Sequence, residues 1–252
     1  GDLLNKNKDF IKKILLFNSN NEESLYLYSY LMLFLTYHCA KNDDIEAYFN
    51  KINMLLRKVL LTFITIGLPC YVGATILAKE SILIIAGKGY IEGALTLQIL
   101  LISFLFSLVG GSFLGNVVLL PSGNEKKFMI ICCISTIFNI IANAFIIPLF
   151  GANGAAATTA ASSFIIFILL IISIDKRIHI DRILQIFIAP IVGSVLMMLY
   201  CFVVKYNISN LWIKTVVCVI GGVVIYGIIQ ILLKNELVLE MTDKILMKYG
   251  RK

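Results

Sequence analysis

The stretch FMIICCISTIFNIIANAFIIPLFGANGAAATTAASS, Phe128 to Ser163, belongs to a run of 47 residues, Phe128 to Ile174, that carries no charged side chain. At about 1.5 Å per residue, the run is long enough for two crossings of a hydrocarbon layer about 30 Å thick. It is interrupted once. Pro148, Gly151, Ala152, Asn153 and Gly154 supply a helix stop, residues that tolerate a left-handed backbone, and a fresh start. The stretch predicts a transmembrane helical hairpin.

The rest of the chain has the same character. Of its 252 residues, 59% are hydrophobic and 15% charged, against about 25% charged in a soluble domain, and the mean hydropathy is +0.90. The expected fold is all-α, a polytopic membrane helical bundle with about seven transmembrane helices. The first 23 residues hold Lys6, Lys8, Lys12 and Lys13 but no small-residue cleavage site after an apolar core, so no secretory signal is read there. A start at Gly1 leads us to expect a piece of a longer protein. The net charge of +7 fits basic loops on one side of a membrane, and nucleic acid is not expected as a partner.

Residues 1–23 read as an interfacial or partial N-terminal segment around Phe10, Ile11, Ile14, Leu15, Leu16 and Phe17. Residues 24–175 hold spans one to five. The first is Ser24 to Ala40; a surface helix is expected over Lys41 to Lys58, from apolar positions Ile45, Phe49, Ile52 and Leu56. The second span is Val59 to Ala78, with Gly67 and Pro69 at its middle; Lys79 to Gly93 reads as a loop with a half-buried turn. The third runs from Ala94 to Leu120, where Ser107, Gly111 and Gly115 form a stripe of small residues at intervals of four that lets another helix approach closely. Its polar members are Gln98 and Asn116. After a turn at Pro121 to Lys127 the hairpin supplies spans four and five. Residues 176–234 hold spans six (Ile183 to Val204) and seven (Leu211 to Leu233), and 235–252 form a basic cytoplasmic tail.

Loops on alternating sides of these spans carry fourteen Lys and Arg on one side and four (Lys79, Lys88, Lys205 and Lys214) on the other, where Lys6, Lys8, Lys12 and Lys13 before the first span also fall. The richer side is read as cytoplasmic, which puts the uncharged turn at Gly151 to Gly154 on the outer face.

Ser135, Asn139 and Asn143 lie four apart, on one face of the first hairpin helix. Two roles fit such a row: interhelical hydrogen bonds that hold the bundle, or the lining of a polar cavity. Ala155, Ala156, Ala157, Ala160 and Ala161 make the fifth span small-faced, suited to packing. His38 and His179 are isolated interfacial histidines. Cys39, Cys70, Cys132, Cys133, Cys201 and Cys218 all fall in apolar segments without metal-ligand spacing, so neither a metal nor a cofactor is expected. No acid or base lies inside a predicted span except Lys214 at the edge of the seventh.

Asn139, Asn143, Pro148, Gly151, Asn153, Gly154, Ala155, Ala156, Thr158 and Ser162 together resemble the hairpin motif of the polysaccharide-transporter (O-antigen flippase) branch of the multidrug/oligosaccharidyl-lipid/polysaccharide superfamily. Gly87, Tyr90 and Ala94, and the turn Gly123 to Lys127, are similar to flanking pieces of the same family. The resemblance covers roughly Lys41 to Asp175. It implies that the seven spans are the eighth to fourteenth of a fourteen-helix protein, the second lobe of a two-lobed flippase-like transporter. By alternating access such a protein moves an undecaprenyl-pyrophosphate-linked oligosaccharide, the repeat unit of a polysaccharide, across the bacterial cytoplasmic (inner) membrane, in company with other polysaccharide assembly proteins. The chain departs from the family in lacking the first lobe and in showing no cationic group suited to a pyrophosphate.

A sugar headgroup cannot cross hydrocarbon with its hydroxyls unsatisfied, so the candidate substrate-binding residues are the neutral amides Asn139, Asn143, Asn116 and Gln98. The chain is expected to be a transporter and not an enzyme. An ion-coupled exporter of the same superfamily predicts acids inside the spans. A membrane polymerase or acyltransferase predicts a large outer loop bearing Arg, His or Asp, whereas the outer loops are short.

Overall fold

The computed structural model describes residues 45–174, 178, 180 and 183–249. The N-terminal segment, the first span Ser24 to Ala40, His38, Cys39 and His179 lie outside them. In order come α1 (Ile45–Ile76), α2 (Ala78–Ile85), a 3-10 turn (Lys88–Tyr90) and α3 (Gly93–Ser107), which continues as a π-helical stretch (Leu108–Leu119). Then follow α4 (Glu125–Ser173), α5 (Ile183–Asn207), α6 (Leu211–Leu232) and α7 (Glu236–Tyr249). Among the described residues, five helices are long and apolar enough to cross a membrane, and α4 contributes two arms to the bundle. The protein is a polytopic membrane bundle, as its composition predicts.

The reversal in α4 rests on one residue. Ser135 Oγ donates to the Ser162 carbonyl at 2.9 Å, although 27 residues of unbroken helix would separate them by about 40 Å. The chain folds back at Gly151, where φ is 55° and ψ is −134°, a conformation open to glycine and costly for any residue with a Cβ. Three residues on, a Cβ at Gly154 would stand 2.9 Å from the Ile146 carbonyl, so the two arms touch just below the reversal. Pro148 stays inside the first arm; the break needs only the glycine.

α1 corrects one boundary. The surface helix and the second span are a single helix, because the apolar spacing of Ile52 and Leu56 continues through Leu60 and Ile64, all four buried. They pack with Phe113, Val117 and Val118 of the π stretch, Ile131 and Leu170 of α4 and Ile186 of α5. A second cluster joins Leu77, Met197, Val204, Cys201 and Cys218. α1 therefore lies between an α3–α4 layer and an α5–α6 pair. Lys79 to Gly93, expected as a loop, contains all of α2 but its first residue, Ala78.

The stripe of small residues in the third span is also redrawn. A π-helix bonds residues five apart, as Leu120 N does to Gly115 O at 3.0 Å, so positions five apart share a face. The glycines that admit a neighbour are Gly110, where a Cβ would meet the Phe167 backbone at 3.1 Å, and Gly115, against the Phe128 ring. Gly111 would meet only Ser107 of its own helix.

Candidate functional site: a polar ladder in the hairpin

The two arms of α4 are joined by side chains of small neutral residues. Asn139 Nδ2 donates to Ser162 Oγ at 3.0 Å, Asn143 Nδ2 donates to Asn139 Oδ1 at 2.9 Å, and Thr158 Oγ1 donates to Asn143 Oδ1. Ser162 Oγ in turn donates to the Thr158 carbonyl at 2.8 Å. The spacing of four on the first arm thus meets a spacing of four, Thr158 and Ser162, on the second.

α3 adds rungs from the other side. Thr96 Oγ1 donates to Asn153 Oδ1 at 2.6 Å, and the Ser103 and Ser163 hydroxyls share a hydrogen bond at 2.7 Å. The second arm, read from sequence as a packing surface of alanines, is therefore bonded to both neighbours. Thr158, Ser162, Thr96 and Asn153 were not among the candidates; the matching spacing of Thr158 and Ser162 was the signal that could have found the first two.

Of the four amides expected to bind substrate, the structure joins two. Asn139 and Asn143 are half-buried and directly bonded. Each carboxamide nitrogen carries two N–H donors, and one is used, leaving each a further N–H without a partner among the described residues. Gln98 belongs to a different contact, donating to the Thr75 carbonyl of α1 at 3.1 Å. Asn116 is exposed on the π stretch. The row thus makes interhelical hydrogen bonds and still has donor capacity, so the two roles open in the sequence are compatible in one ladder. No group of three or more His, Cys, Asp or Glu residues that could hold a metal occurs among the described residues.

Charge sits elsewhere, in places the sequence did not reveal. Glu80 of α2 has a side chain only 6% exposed, and Lys205 Nζ of α5 lies 3.0 Å from its carboxylate. Lys214 Nζ of α6 lies 3.4 Å from the same group, and Lys205 also donates to the Ile76 carbonyl at 2.8 Å. Burial pushes the Glu80 carboxyl up, but the Lys205 hydrogen bond, a backbone hydrogen bond at Glu80 and the charge of Lys205 outweigh it and hold the group below the usual carboxylate range. At the opposite ends of α1 and α6, α7 is fastened by ion pairs from Arg57 to Glu236 and from Lys58 to Glu240.

Beside that fastening is a buried amide node. Gln230, fully buried, donates to the Ala189 carbonyl and accepts from Asn235 Nδ2, both at 2.8 Å. Asn235 also donates to Thr65 Oγ1 at 3.2 Å and accepts from the Leu237 backbone at 3.0 Å, capping α7.

No known protein family and no curated protein sequence matches the chain. Among solved structures it is similar to the lipid II flippase MurJ in an inward closed conformation, with a TM-score of 0.66 at 18% identity over 83% of this chain. The match covers 43% of that protein, so the chain spans less than half its length. At this identity the likeness is one of fold.

Proposed function

We propose that the chain is the second lobe of a flippase of the multidrug/oligosaccharidyl-lipid/polysaccharide superfamily, moving a lipid-linked oligosaccharide across the bacterial cytoplasmic membrane by alternating access. The observation that carries this reading is the fold, shared with a lipid II flippase over most of the chain, together with the resemblance of the hairpin motif to the O-antigen branch. The basic loops and the tail then face the cytoplasm, and the polysaccharide repeat unit is the cargo.

The ladder fits that task physically. Sugar hydroxyls need partners that donate and accept without charge, inside a layer where an unsatisfied polar group is costly. Asn139 and Asn143 hold each other in place and each offers a further N–H; Gln98 and Asn116 extend the set of neutral amides along α3 and its π stretch. Transport follows from rocking this lobe against a partner lobe about the cavity, with the lipid tail left in the bilayer.

The test is transport by the full-length protein in vesicles, read as exposure of a fluorescent lipid-linked oligosaccharide on the far leaflet. Replacing Asn139 and Asn143 together by alanine is expected to cut the flipping rate at least tenfold while helicity by circular dichroism is unchanged. A folded double variant that flips at the wild-type rate overturns the assignment of the ladder. Wild-type protein that flips no lipid-linked saccharide overturns the function.

A further inference from the structure

The Glu80 cluster is used by nothing proposed above, and its charge does not balance. Two ammonium groups, Lys205 and Lys214, face one carboxylate, leaving one positive charge in a half-buried setting. The partners are unequally engaged. Lys205 is held by both the carboxylate and the Ile76 carbonyl at hydrogen-bond distance. Lys214 has three donors but, among the described residues, only the 3.4 Å ion pair to Glu80, beyond ordinary hydrogen-bond length. Its side chain is 17% exposed, enough for a ligand to reach.

The depth of the cluster is set independently. Lys205 stands two residues before the end of α5 and Lys214 three residues after the start of α6, at the tip of a helical pair. Between them Tyr206 is 92% exposed and Trp212, the chain's single tryptophan, 63% exposed. Exposed Tyr and Trp at span ends sit at the membrane–water interface, which is where lipid phosphates lie.

We propose that Lys214 and Lys205, oriented by Glu80, form a binding site for the phosphate of an anionic phospholipid headgroup. The phosphodiester accepts from the free donors of Lys214 and balances the residual charge, while Glu80 keeps the two ammonium groups together and prevents their mutual repulsion from splaying α5 and α6. A lysine serves phosphate as a point charge without demanding bidentate geometry. The site holds whichever side of the membrane the tip faces, and it does not depend on the chain transporting anything.

The experiment is thermal unfolding of the full chain in neutral detergent, titrated with phosphatidylglycerol, with phosphatidylcholine, and with inorganic phosphate alone. Phosphatidylglycerol is expected to raise the midpoint of the wild type, and Lys214→Gln is expected to need about fivefold more of it for the same shift, the loss typical of one interfacial lysine. Lys214→Arg, which keeps the charge, and Lys88→Gln, at an exposed lysine outside the cluster, are expected to behave as wild type. Because Lys205 still pairs with Glu80 in Lys214→Gln, that variant folds; copurified phosphatidylglycerol measured by mass spectrometry gives a second readout for it. Equal responses of wild type and Lys214→Gln overturn the site, as does loss of the response in Lys88→Gln. Protection by inorganic phosphate to the same extent overturns the lipid assignment, and protection by phosphatidylcholine overturns the role of charge.

Discussion

The hairpin of α4 and the α1–α5–α6 side both place polar groups inside an apolar bundle, but they spend them differently. In the hairpin the partners are neutral, come from two arms of one helix, and are half-buried, with spare donors on Asn139 and Asn143. On the other side Gln230 is fully buried and its amide bonds close on Ala189 and Asn235, while Glu80 is enclosed by lysines from two other helices. A group sealed from solvent among fixed partners rigidifies a bundle; a half-buried group with a donor left over, within reach of solvent, can exchange partners with a ligand. Polarity is thus structural on one side and available on the other.

The comparison predicts opposite outcomes for substitutions of similar size. Gln230→Leu takes the side-chain donor from the Ala189 carbonyl, which stays bonded within α5, and orphans one buried Asn235 N–H, and at about 1–3 kcal/mol for a group so orphaned it is expected to cost about 2 kcal/mol. That appears as a large fall in the thermal unfolding midpoint in detergent. If the fall is negligible, the node is not structural and the contrast fails.

Asn139→Leu removes two hydrogen bonds, to Ser162 and from Asn143, and is expected to cost only about 1 kcal/mol, the scale of two such bonds at about 0.6 kcal/mol each in a membrane protein, because both partners are half-buried and Ser162 keeps its bond to Thr158. Its effect on transport should exceed its effect on stability, the reverse of Gln230→Leu. Measuring both quantities on both variants sharpens the division between a closed and an open polar region.

The smallest effect is at the tail. Arg57 holds the Glu236 carboxyl below the usual range, against a weaker upward push from burial. Its folded value is depressed, so the contribution is fully present above the ordinary carboxylate value and is lost as pH falls through the folded one. Glu236 is half exposed, its side chain at 55%, and an exposed ion pair is worth at most about 1 kcal/mol. A spin-label distance between α7 and α1 should lengthen on acidification in the wild type, and already at neutral pH in Glu236→Gln, while transport and the midpoint hardly change. A distance independent of pH removes the ion pair from the docking of α7.

Much of this contrast follows how far apart the partners lie along the chain. Asn139 and Asn143 share a face by helical spacing, and Gly151 marks the reversal that turns that face toward Thr158 and Ser162. Glu80 and Lys205 are 125 residues apart, and no local period relates them. In the sequence charge marks the edge of a span, so Arg57 and Lys58 close a surface helix there and Lys79 to Gly93 reads as a loop. On a helix the same charges are tolerated where partners from α7, or from α5 and α6, close over them. The third span differs more subtly: an α-helix puts residues four apart on one face, and the π stretch moves the contact positions to five.

By itself the sequence determined that the chain is an all-helical membrane bundle, where its apolar helices run, and that the arms of α4 fold back at a glycine, because the absence of charge, helical periodicity and a residue without a Cβ act locally. Only the tertiary structure decided which polar groups are closed and which remain open, because that depends on what covers each side chain: the Ala189 carbonyl and Thr65-bound Asn235 over a fully buried Gln230, two lysines for Glu80, and for Asn139 a neighbouring arm that leaves it half-buried.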